Sequence, residues 1–270
     1  MRRSRLQRID SSLPTTSDVR AFWERNPVAA ASVQPRPGTA EFFVAFDRLR
    51  ETVEPDTLQQ EVYAFGSFAG KAVLDVGCGN GYILSRYARW GARTCGVDLT
   101  WTAMDLSTNR FTLAGLSGWF TQADAERLPF CDASFDLVVS VGVLHHVPLI
   151  EAAIAEIHRV LKPGGVIIIM LYHRDSLHYR ILYPLYGLLH PVFRGKWPVE
   201  IARSIDGADN PIGRTYSRRQ VRGLLAPFRD VRLRAGSLPI RPLHLLPGGR
   251  LFLDLLSKGI GWFLYARGVK

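Results

Sequence analysis

The chain has 270 residues, of which 47% are hydrophobic, so it can bury one sizeable core but is too short for two independent domains of ordinary size. Its net charge is +10, and the charge is segregated: residues 51–170 carry −5, whereas residues 171–270 carry +11. Three scattered cysteines exclude a disulfide framework and a C-x-x-C zinc site, and they favour a reducing compartment, the cytoplasm.

The N-terminal residues show no leader pattern. Residues 1–17 are basic and rich in serine, threonine and proline, which predicts a disordered tail and lacks the apolar segment of a signal peptide. Two amphipathic helices are predicted next, one from Asp18 to Asn26 and one over residues 40–53. Each aromatic residue of these helices, such as Phe22 or Trp23 in the first and Phe42 or Phe43 in the second, has two interpretations. It is part of an ordinary core, or it covers a ligand.

The most informative stretch is residues 71–98, KAVLDVGCGNGYILSRYARWGARTCGVD. An apolar strand over residues 72–76 leads into a loop with three glycines, a helical pattern follows, and a second strand over residues 94–97 ends at Asp98. This is the first half of a nucleotide-binding βαβ unit. Glycines let the backbone turn sharply and approach a ligand closely. A carboxylate at the position of Asp98 can accept both hydroxyls of a ribose.

The spacing of the loop distinguishes between two classes of cofactor. The dinucleotide fingerprint G-x-G-x-x-G requires a third glycine at position 82, but Tyr82 is there and the glycine is Gly81. An acid, Asp75, also precedes the first glycine by two residues. With the string V-L-D-V-G-C-G-x-G, the chain resembles the class I S-adenosylmethionine-dependent methyltransferases of small-molecule type.

That resemblance implies an S-adenosylmethionine (SAM) site, with S-adenosylhomocysteine (SAH) as the product, in which the glycine loop holds the methionine end and Asp98 the ribose. It also implies that residues 124–130 meet the adenine, where a carboxylate accepts from the amino group; local turn formation is the alternative role for Asp124. The implied cofactor residues are Asp75, Gly77, Cys78, Gly79, Gly81, Asp98, Leu99, Asp124, Ala125 and Val141.

The strands that follow bring histidines to one edge of the predicted sheet. The fourth strand, residues 136–140, leads to the tandem His145 and His146, and the fifth, residues 166–171, ends at Tyr172 and His173. Parallel sheets bind ligands beyond the carboxyl ends of their strands, so we expect these four side chains to share a pocket. The candidate general base is one of His145 and His146, with His173 next, and Tyr172 is an orienting group; a structural role for each histidine is the alternative. No metal site is expected, because adjacent side chains diverge.

The resemblance becomes weaker after residue 175. Residues 176–215 have no clean period and are predicted to form an insertion over the substrate, followed by a helix from Ser217 and a strand over residues 228–233. Residues 235–260 read as an irregular connection, and residues 261–266 suit an antiparallel closing strand. The predicted fold is therefore an α/β, seven-stranded, mostly parallel Rossmann-like sheet. Its parts are the tail (1–17), a helical cap (18–66), the SAM-binding core (67–175) and the insertion with closing strands (176–270).

The function implied by the resemblance is methyl transfer from SAM to a small-molecule acceptor, apolar or anionic, with the acceptor atom open. An alternative is a lipid-like or quinone acceptor, with the protein peripheral to an anionic membrane; the +11 charge of residues 171–270 supports it. A nucleic-acid methyltransferase is disfavoured, because no Asn/Asp-Pro-Pro-aromatic motif follows the fourth strand and no RNA-binding module is recognisable. A non-catalytic SAM-binding protein is the remaining alternative. Oligomeric state is not indicated.

Overall fold

The computed structural model describes residues 14–28, 32–238 and 249–270. Most of the predicted disordered tail, and residues 239–248 of the predicted C-terminal connection, therefore lie outside the described residues.

The described strands form one sheet with the order β3-β2-β1-β4-β5-β8-β7, and the two-residue β6 pairs with the end of β5. All pairs are parallel except those made by β8, which runs antiparallel to both β5 and β7. The predicted α/β fold, mostly parallel with an antiparallel last strand, is confirmed, with β6 as an addition. The strands are β1 (Ala72–Val76), β2 (Arg93–Asp98), β3 (Trp119–Gln122), β4 (Phe135–Val141), β5 (Leu161–His173), β6 (Thr215–Tyr216), β7 (Arg229–Gly236) and β8 (Phe263–Val269).

Helices flank the sheet on both faces. In the described residues they are α1 (Thr16–Arg25), α2 (Ala40–Val53), α3 (Asp56–Tyr63), α4 (Tyr82–Arg89), α5 (Trp101–Leu113), α6 (Ile150–Val160), α7 (Tyr183–Leu189), α8 (Pro198–Ser204), α9 (Arg218–Leu224) and α10 (Gly249–Ile260). Short 3₁₀ turns cover Phe65–Phe68 and Leu144–His146, and a π-helical turn covers His178–Leu182. No helix within the described ranges is long and apolar enough to cross a membrane.

Side-chain caps explain where several helices begin. Helix α1 starts two residues before the predicted Asp18, because the Thr15 hydroxyl and the Asp18 carboxylate form a reciprocal capping box. Thr100 caps α5 by accepting from the backbone amide of Ala103. Ser217 caps α9, as its position before the helical pattern predicts.

Two apolar clusters pack against the opposite faces of the sheet. One combines aromatic side chains of α2 and α4, such as Phe42 and Tyr87, with Val73 of β1. The other combines Leu74, from the same strand, with α6, including Ile157. Because successive strand residues point to opposite faces, β1 contributes to both clusters, as expected for a strand that is buried on both sides.

The structure differs from the predicted elements in the C-terminal half. Strand β5 begins at Leu161 rather than residue 166, because Leu161 pairs with Phe135 before a register shift in β4. The predicted irregular insertion of residues 176–215 contains the π-helical turn, α7, α8 and β6. The predicted connection over residues 235–260, which proline and glycine interrupt, contains the 12-residue helix α10.

Candidate functional site

A cavity lies beyond the carboxyl ends of β1, β2 and β4, where a parallel sheet binds ligands. It encloses about 1220 Å³, part of which is open to solvent. Helix α1 contributes Val19 and Trp23 to its wall, and α2 contributes Phe46 and Arg50. The predicted cofactor residues line it, with the exception of Gly81, which lies behind the loop against Ser107.

The glycine loop forms one wall, and its conformation requires glycine. Gly77, Gly79 and Gly81 all have positive φ angles, of 79°, 55° and 74°. A Cβ atom on Gly77 would stand 2.3 Å from a methyl carbon of Val143, so the close packing of β1 against the end of β4 also excludes a larger residue. The loop is held to β2 because the Gly77 and Cys78 amides both donate to the Val97 carbonyl, at 2.7 and 3.0 Å.

Arg110, on the buried face of α5, supports the loop from behind. Its Nε donates to the Asn80 carbonyl at 2.8 Å, and its Nη1 donates to Asp47 at 2.8 Å. The guanidinium also lies 4.5 Å from the ring centroid of Phe43. The sequence analysis did not identify this residue, because nothing in the pattern of α5 separates a buried arginine from a solvated one.

Two buried carboxyl groups, Asp75 and Asp98, line the cavity, and the charge of Asp98 acts on Asp75. Asp75 is only 3% exposed, and no described residue donates a hydrogen bond to it. Burial, reinforced by the charge of Asp98, raises the pKa of Asp75 to about 8. Burial also raises the pKa of Asp98, although its carboxylate accepts from the Gly79 amide at 3.0 Å and from the Thr100 amide and hydroxyl at 3.1 and 2.9 Å. This wall therefore suits a ligand that carries positive charge and hydroxyl donors.

The predicted adenine side is formed by Leu99, Asp124 and Ala125, which line the cavity next to the loop. Asp124 also has the local role given as its alternative, since its Oδ1 accepts from the Glu126 amide at 2.9 Å. Both interpretations of this residue are compatible with its position. Val141, at the end of β4, lines the opposite side.

Of the three candidate histidines, only His146 lines the cavity. Its ring meets the edge of Trp23 with centroids 5.1 Å apart. Nδ1 is hydrogen-bonded to the Ile212 carbonyl, which only accepts, and it also lies 3.4 Å from Nδ2 of Asn210, which only donates. Because the carbonyl is the nearer of the two, we assign the proton of the neutral ring to Nδ1. Nε2 then carries the lone pair; it is buried, has no hydrogen-bond partner among the described residues, and lies 3.5 Å from Oδ2 of Asp206. Burial lowers the pKa of His146, and the charge of Asp206 opposes that shift.

Tyr172 and His145 stand behind His146. The His145 ring lies 3.9 Å from the Tyr172 ring and 4.1 Å from the His146 ring, between centroids. The Tyr172 hydroxyl donates to Asp206, 3.0 and 2.9 Å from its two oxygens, and burial raises the pKa of Tyr172, so the hydroxyl remains a donor. His145 is fully buried, its nitrogens have no described hydrogen-bond partner, and burial lowers its pKa well below the usual value.

His145, Tyr172 and His173 do not line the cavity, contrary to the expectation that the four side chains share a pocket. Consecutive strand residues point to opposite faces, so His173 and Tyr172 cannot both face the same ligand. The His173 Nδ1 instead lies 3.0 Å from the Gly261 carbonyl, next to the start of β8, and the ring is buried there.

Besides Arg110, the sequence analysis did not identify two acidic residues near the site, Asp206 and Glu24. Asp206 follows α8, in the segment without a clean period, and no local pattern relates it to His146. Glu24, near the end of α1, accepts from the amides of Trp101 and Thr102 at 3.1 and 3.0 Å, and so caps α5 from another helix. A cap from a residue 77 positions away leaves no trace in the sequence around α5.

The residues of the cavity fit the cofactor that the sequence implies. The positive φ angles and the 2.3 Å approach at Gly77 form a cradle that a Cβ atom would fill. Asp75 is a buried carboxylate without a described partner, which the ammonium group of an amino acid would complement. The oxygens of Asp98 have lone pairs left to accept ribose hydroxyls.

Comparison with known families gives one match, over the centre of the chain. Residues 74–169 match the model of a family described as "Methyltransferase domain". This range begins in β1 and ends in β5, and it includes the glycine loop, both carboxylates and the tandem histidine.

Two curated relatives each match less than half of the chain. A ubiquinone biosynthesis O-methyltransferase of Nitrosococcus oceani is 34% identical over 114 residues, which is 42% of this chain and 48% of the relative. A fatty-acid O-methyltransferase of Mycolicibacterium smegmatis is 42% identical over 98 residues, which is 36% of this chain and 35% of the relative. The match thus spans about half, or less, of the length of these relatives.

Among solved structures, the magnesium protoporphyrin IX methyltransferase of Synechocystis PCC 6803, determined with bound SAH, superposes with a TM-score of 0.62. The superposition covers 95% of this chain and all of that one, at 14% sequence identity. The likeness concerns the fold, and it extends beyond the family match to the cap and the C-terminal strands.

Proposed function

We propose that the protein transfers a methyl group from SAM to a small-molecule acceptor, which the match of residues 74–169 to the methyltransferase-domain family supports. One observation carries the proposal. The glycine loop, the two acids Asp75 and Asp98, and the imidazole of His146 all line a single cavity. A cofactor cradle and a candidate base therefore open into the same space.

The chain's own residues would hold SAM along the loop. Asp75 would accept from the ammonium of the methionine end, and the backbone of Gly77 to Gly79 would lie against it. Asp98 would accept from the ribose hydroxyls, with Leu99, Asp124 and Ala125 at the adenine. When bound, SAM supplies an activated methyl group on sulfur, so the protein's main task is to align the acceptor, which is worth up to about 7–11 kcal/mol.

His146 is the proposed general base. With Nδ1–H donated to Ile212, Nε2 takes the proton of a hydroxyl acceptor, and the resulting imidazolium faces the Asp206 carboxylate. Tyr172 acts as a positioning residue, because its hydroxyl fixes Asp206. His145 supports this arrangement because its ring packs between those of Tyr172 and His146, and His173 takes no part in it.

An oxygen acceptor on an apolar molecule fits these features best. Both curated relatives are named as O-methyltransferases, one of ubiquinone biosynthesis and one of a fatty acid. A hydroxyl acceptor, like a thiol, loses a proton on methylation and is assisted by a base, whereas a carboxylate is already ionised and needs none. The part of the cavity wall that α1 and α2 contribute is mainly apolar, with Val19, Trp23 and Phe46 beside Arg50.

Two measurements test the proposal. Calorimetry should detect binding of SAH, and no binding of NADH, since Tyr82 replaces the glycine of the dinucleotide fingerprint. A panel of phenolic, carboxylic and thiol acceptors, supplied with SAM labelled in its methyl group, should give SAH together with a labelled product. Tight binding of NADH, or a protein that binds SAH yet labels none of the acceptor classes, would contradict the proposed function.

A further inference from the structure

A group of apolar side chains faces solvent on one side of the molecule. Eight of the 18 large apolar side chains that are exposed in the described residues lie between residues 181 and 199. In a water-soluble protein, exposed apolar residues usually stand singly. Four of them, Ile181, Leu185, Leu188 and Leu189, follow the π-helical turn and α7 at helical spacing, and Val192 lies in the turn after α7. We call these five residues the apolar ridge.

The ridge reverses the usual polarity of a surface helix. A helix on a soluble protein turns its apolar stripe to the core. Along the π-helical turn and α7, only Tyr183 is buried, whereas Leu188 and Leu189 are 69% and 67% exposed. The stripe at positions i, i+4, i+7 and i+8 thus points outward. Its burial requires another molecule.

Basic and aromatic side chains border the ridge. Arg194 and Lys196 are exposed in the turn between α7 and α8, and Trp197 beside them is 74% exposed. The one acid between residues 178 and 204, Glu200, is used locally, since its carboxylate accepts from the Trp197 amide at 2.7 Å. Apolar side chains next to lysine, arginine and an interfacial tryptophan have the chemistry of a segment that lies in the headgroup region of an anionic bilayer.

The ridge is held firmly on the fold. The Gly195 amide donates to the Gly187 carbonyl at 2.8 Å, and a Cβ atom on Gly187 would stand 2.4 Å from the Lys196 carbonyl, so the turn packs directly on α7. Tyr183, on the inner side, meets Trp262 with ring centroids 5.3 Å apart, and Trp262 stacks on Tyr172 at 4.7 Å.

The same segment is also part of the surroundings of the cavity. Two residues after α8, Asp206 faces His146. The chain then returns to His146 through Ile212, whose carbonyl binds the imidazole. The ridge and the candidate base are therefore joined through one short stretch of chain.

We propose that the apolar ridge, with Arg194 and Lys196, docks the protein on an anionic phospholipid bilayer, from which the site takes a lipid-soluble acceptor. The choice of a bilayer over a protein partner rests on the charge of the border, which matches anionic headgroups. The substrate half of this inference rests on the proposed function, whereas the docking half does not.

Vesicle flotation tests the docking surface. The full chain should float with vesicles made of equal parts phosphatidylcholine and phosphatidylglycerol, and float less with phosphatidylcholine alone. Leu188→Glu should lower the partition coefficient about tenfold, because one leucine no longer enters the interface. Leu113→Glu, which changes an equally exposed leucine at the end of α5, is the matched control and should float like the parent protein.

The charged border is tested in the same way. Lys196→Glu should weaken binding to the anionic vesicles by about fivefold or more, and Arg222→Glu, on the exposed side of α9, should have a smaller effect. Binding should fall steeply as salt rises to about 1 M, where charges are screened beyond about 3 Å. SAH affinity, measured by calorimetry, should be the same in all these variants.

Three results would overturn the inference. One is that Leu188→Glu and Leu113→Glu float equally well, and another is equal flotation with neutral and anionic vesicles. The third is a dimer in solution that Leu188→Glu dissociates, with no flotation of the parent protein, since the ridge would then meet a second copy. If the parent protein does not bind SAH, that result counts against the proposed function, whereas the flotation result still tests the docking surface.

Discussion

Asp98 serves two structures at once, the glycine loop and the start of α5. Its Oδ2 accepts from the Gly79 amide and its Oδ1 from Thr100, so the carboxylate fixes the shape of the cradle that it lines. A ligand that binds through ribose hydroxyls would meet an acceptor that is already oriented. Such preorganisation reduces the entropy that binding must offset.

Asp98→Ala should therefore weaken SAH binding by roughly 10- to 150-fold, since a hydrogen bond to a charged group is worth about 1.5–3 kcal/mol. Calorimetry measures the affinity, and urea unfolding shows whether the variant is folded. Asp105→Ala, which removes an exposed acid from the nearby helix α5, is the control and should bind SAH as tightly as the parent protein. A folded Asp98→Ala variant with unchanged affinity would place the ribose elsewhere.

His146 lines the cavity and His173 does not, so replacing each of them distinguishes a general base from a structural residue. We expect His146→Ala to lower turnover about 10²–10⁴-fold with little change in SAH affinity, because a base acts only on the chemical step. His173→Ala should keep turnover near that of the parent protein, because its ring is bonded to Gly261 away from the cavity. If both variants retain full turnover with the true acceptor, the enzyme works by alignment alone.

Asp206 offers a test that a purely structural role would not satisfy. Its charge raises the pKa of His146 against the larger effect of burial, so Asp206→Asn should lower that pKa further. The acid limb of the pH profile of kcat/KM should then move to lower pH, while turnover at neutral pH falls because the imidazolium has lost its counter-charge. Asp209→Asn, an exposed neighbour, should change neither quantity. An acid limb that stays in place would separate Asp206 from the base.

At the scale of elements, α1 is one of the two helices of the described cap that line the cavity, together with α2. Val19 and Trp23 line it, and Glu24 fastens the end of α1 to the first turn of α5. The carboxylate is also well placed against the positive end of the α5 dipole. Opening of the cavity on this side therefore requires the capping bonds of Glu24 to break.

Glu24→Ala should speed the dissociation of SAH about 2- to 30-fold, because the loss of a helix cap costs about 0.5–2 kcal/mol of stability. Stopped-flow competition measures the dissociation rate directly. Glu51→Ala, on the exposed side of α2, serves as the control. Equal dissociation rates in the two variants would mean that α1 does not retain the ligand.

The elements that could be predicted from the sequence are those with a local signature. The strand before Gly77, the acid that ends β2 and the histidines after β4 all follow from short-range patterns, and the sheet topology relates them. Asp206 and Glu24 act over long sequence separations, so no local pattern identifies them. The outward stripe of α7 was obscured by Pro184 and Gly187, which read as helix breakers although Pro184 stands in the first turn, where proline is tolerated.

The electrostatics of the site should be visible in the stability of the whole molecule. Burial and the charge of Asp98 raise the pKa of folded Asp75 to about 8, above its ordinary 3.8, so the folded protein keeps a proton that the unfolded chain releases. This contribution is complete below the unfolded pKa and is lost as pH rises toward about 8, at up to about 1.4 kcal/mol per pH unit.

Asp75→Asn should remove that dependence. We expect the free energy of unfolding of the variant, relative to that of the parent protein, to rise between about pH 5 and pH 8, because only the parent protein must ionise a buried acid. Urea unfolding in the absence of SAM and SAH measures the difference at each pH, and other titrating groups cancel in it. A difference that is constant with pH would show that Asp75 is already ionised in the folded protein.

The position of β8 in the sheet has a consequence for synthesis on the ribosome. Strand β8 follows β5 and β7 in the chain but lies between them, so neither strand has its partner on that side until residues 263–269 have left the exit tunnel. Until then β5, with the buried run from Ile167 to Leu171, presents an open apolar edge of the kind through which nascent chains associate. Strands β5 and β7 can therefore be joined through β8 only after the whole segment from the apolar ridge to α10 has been translated.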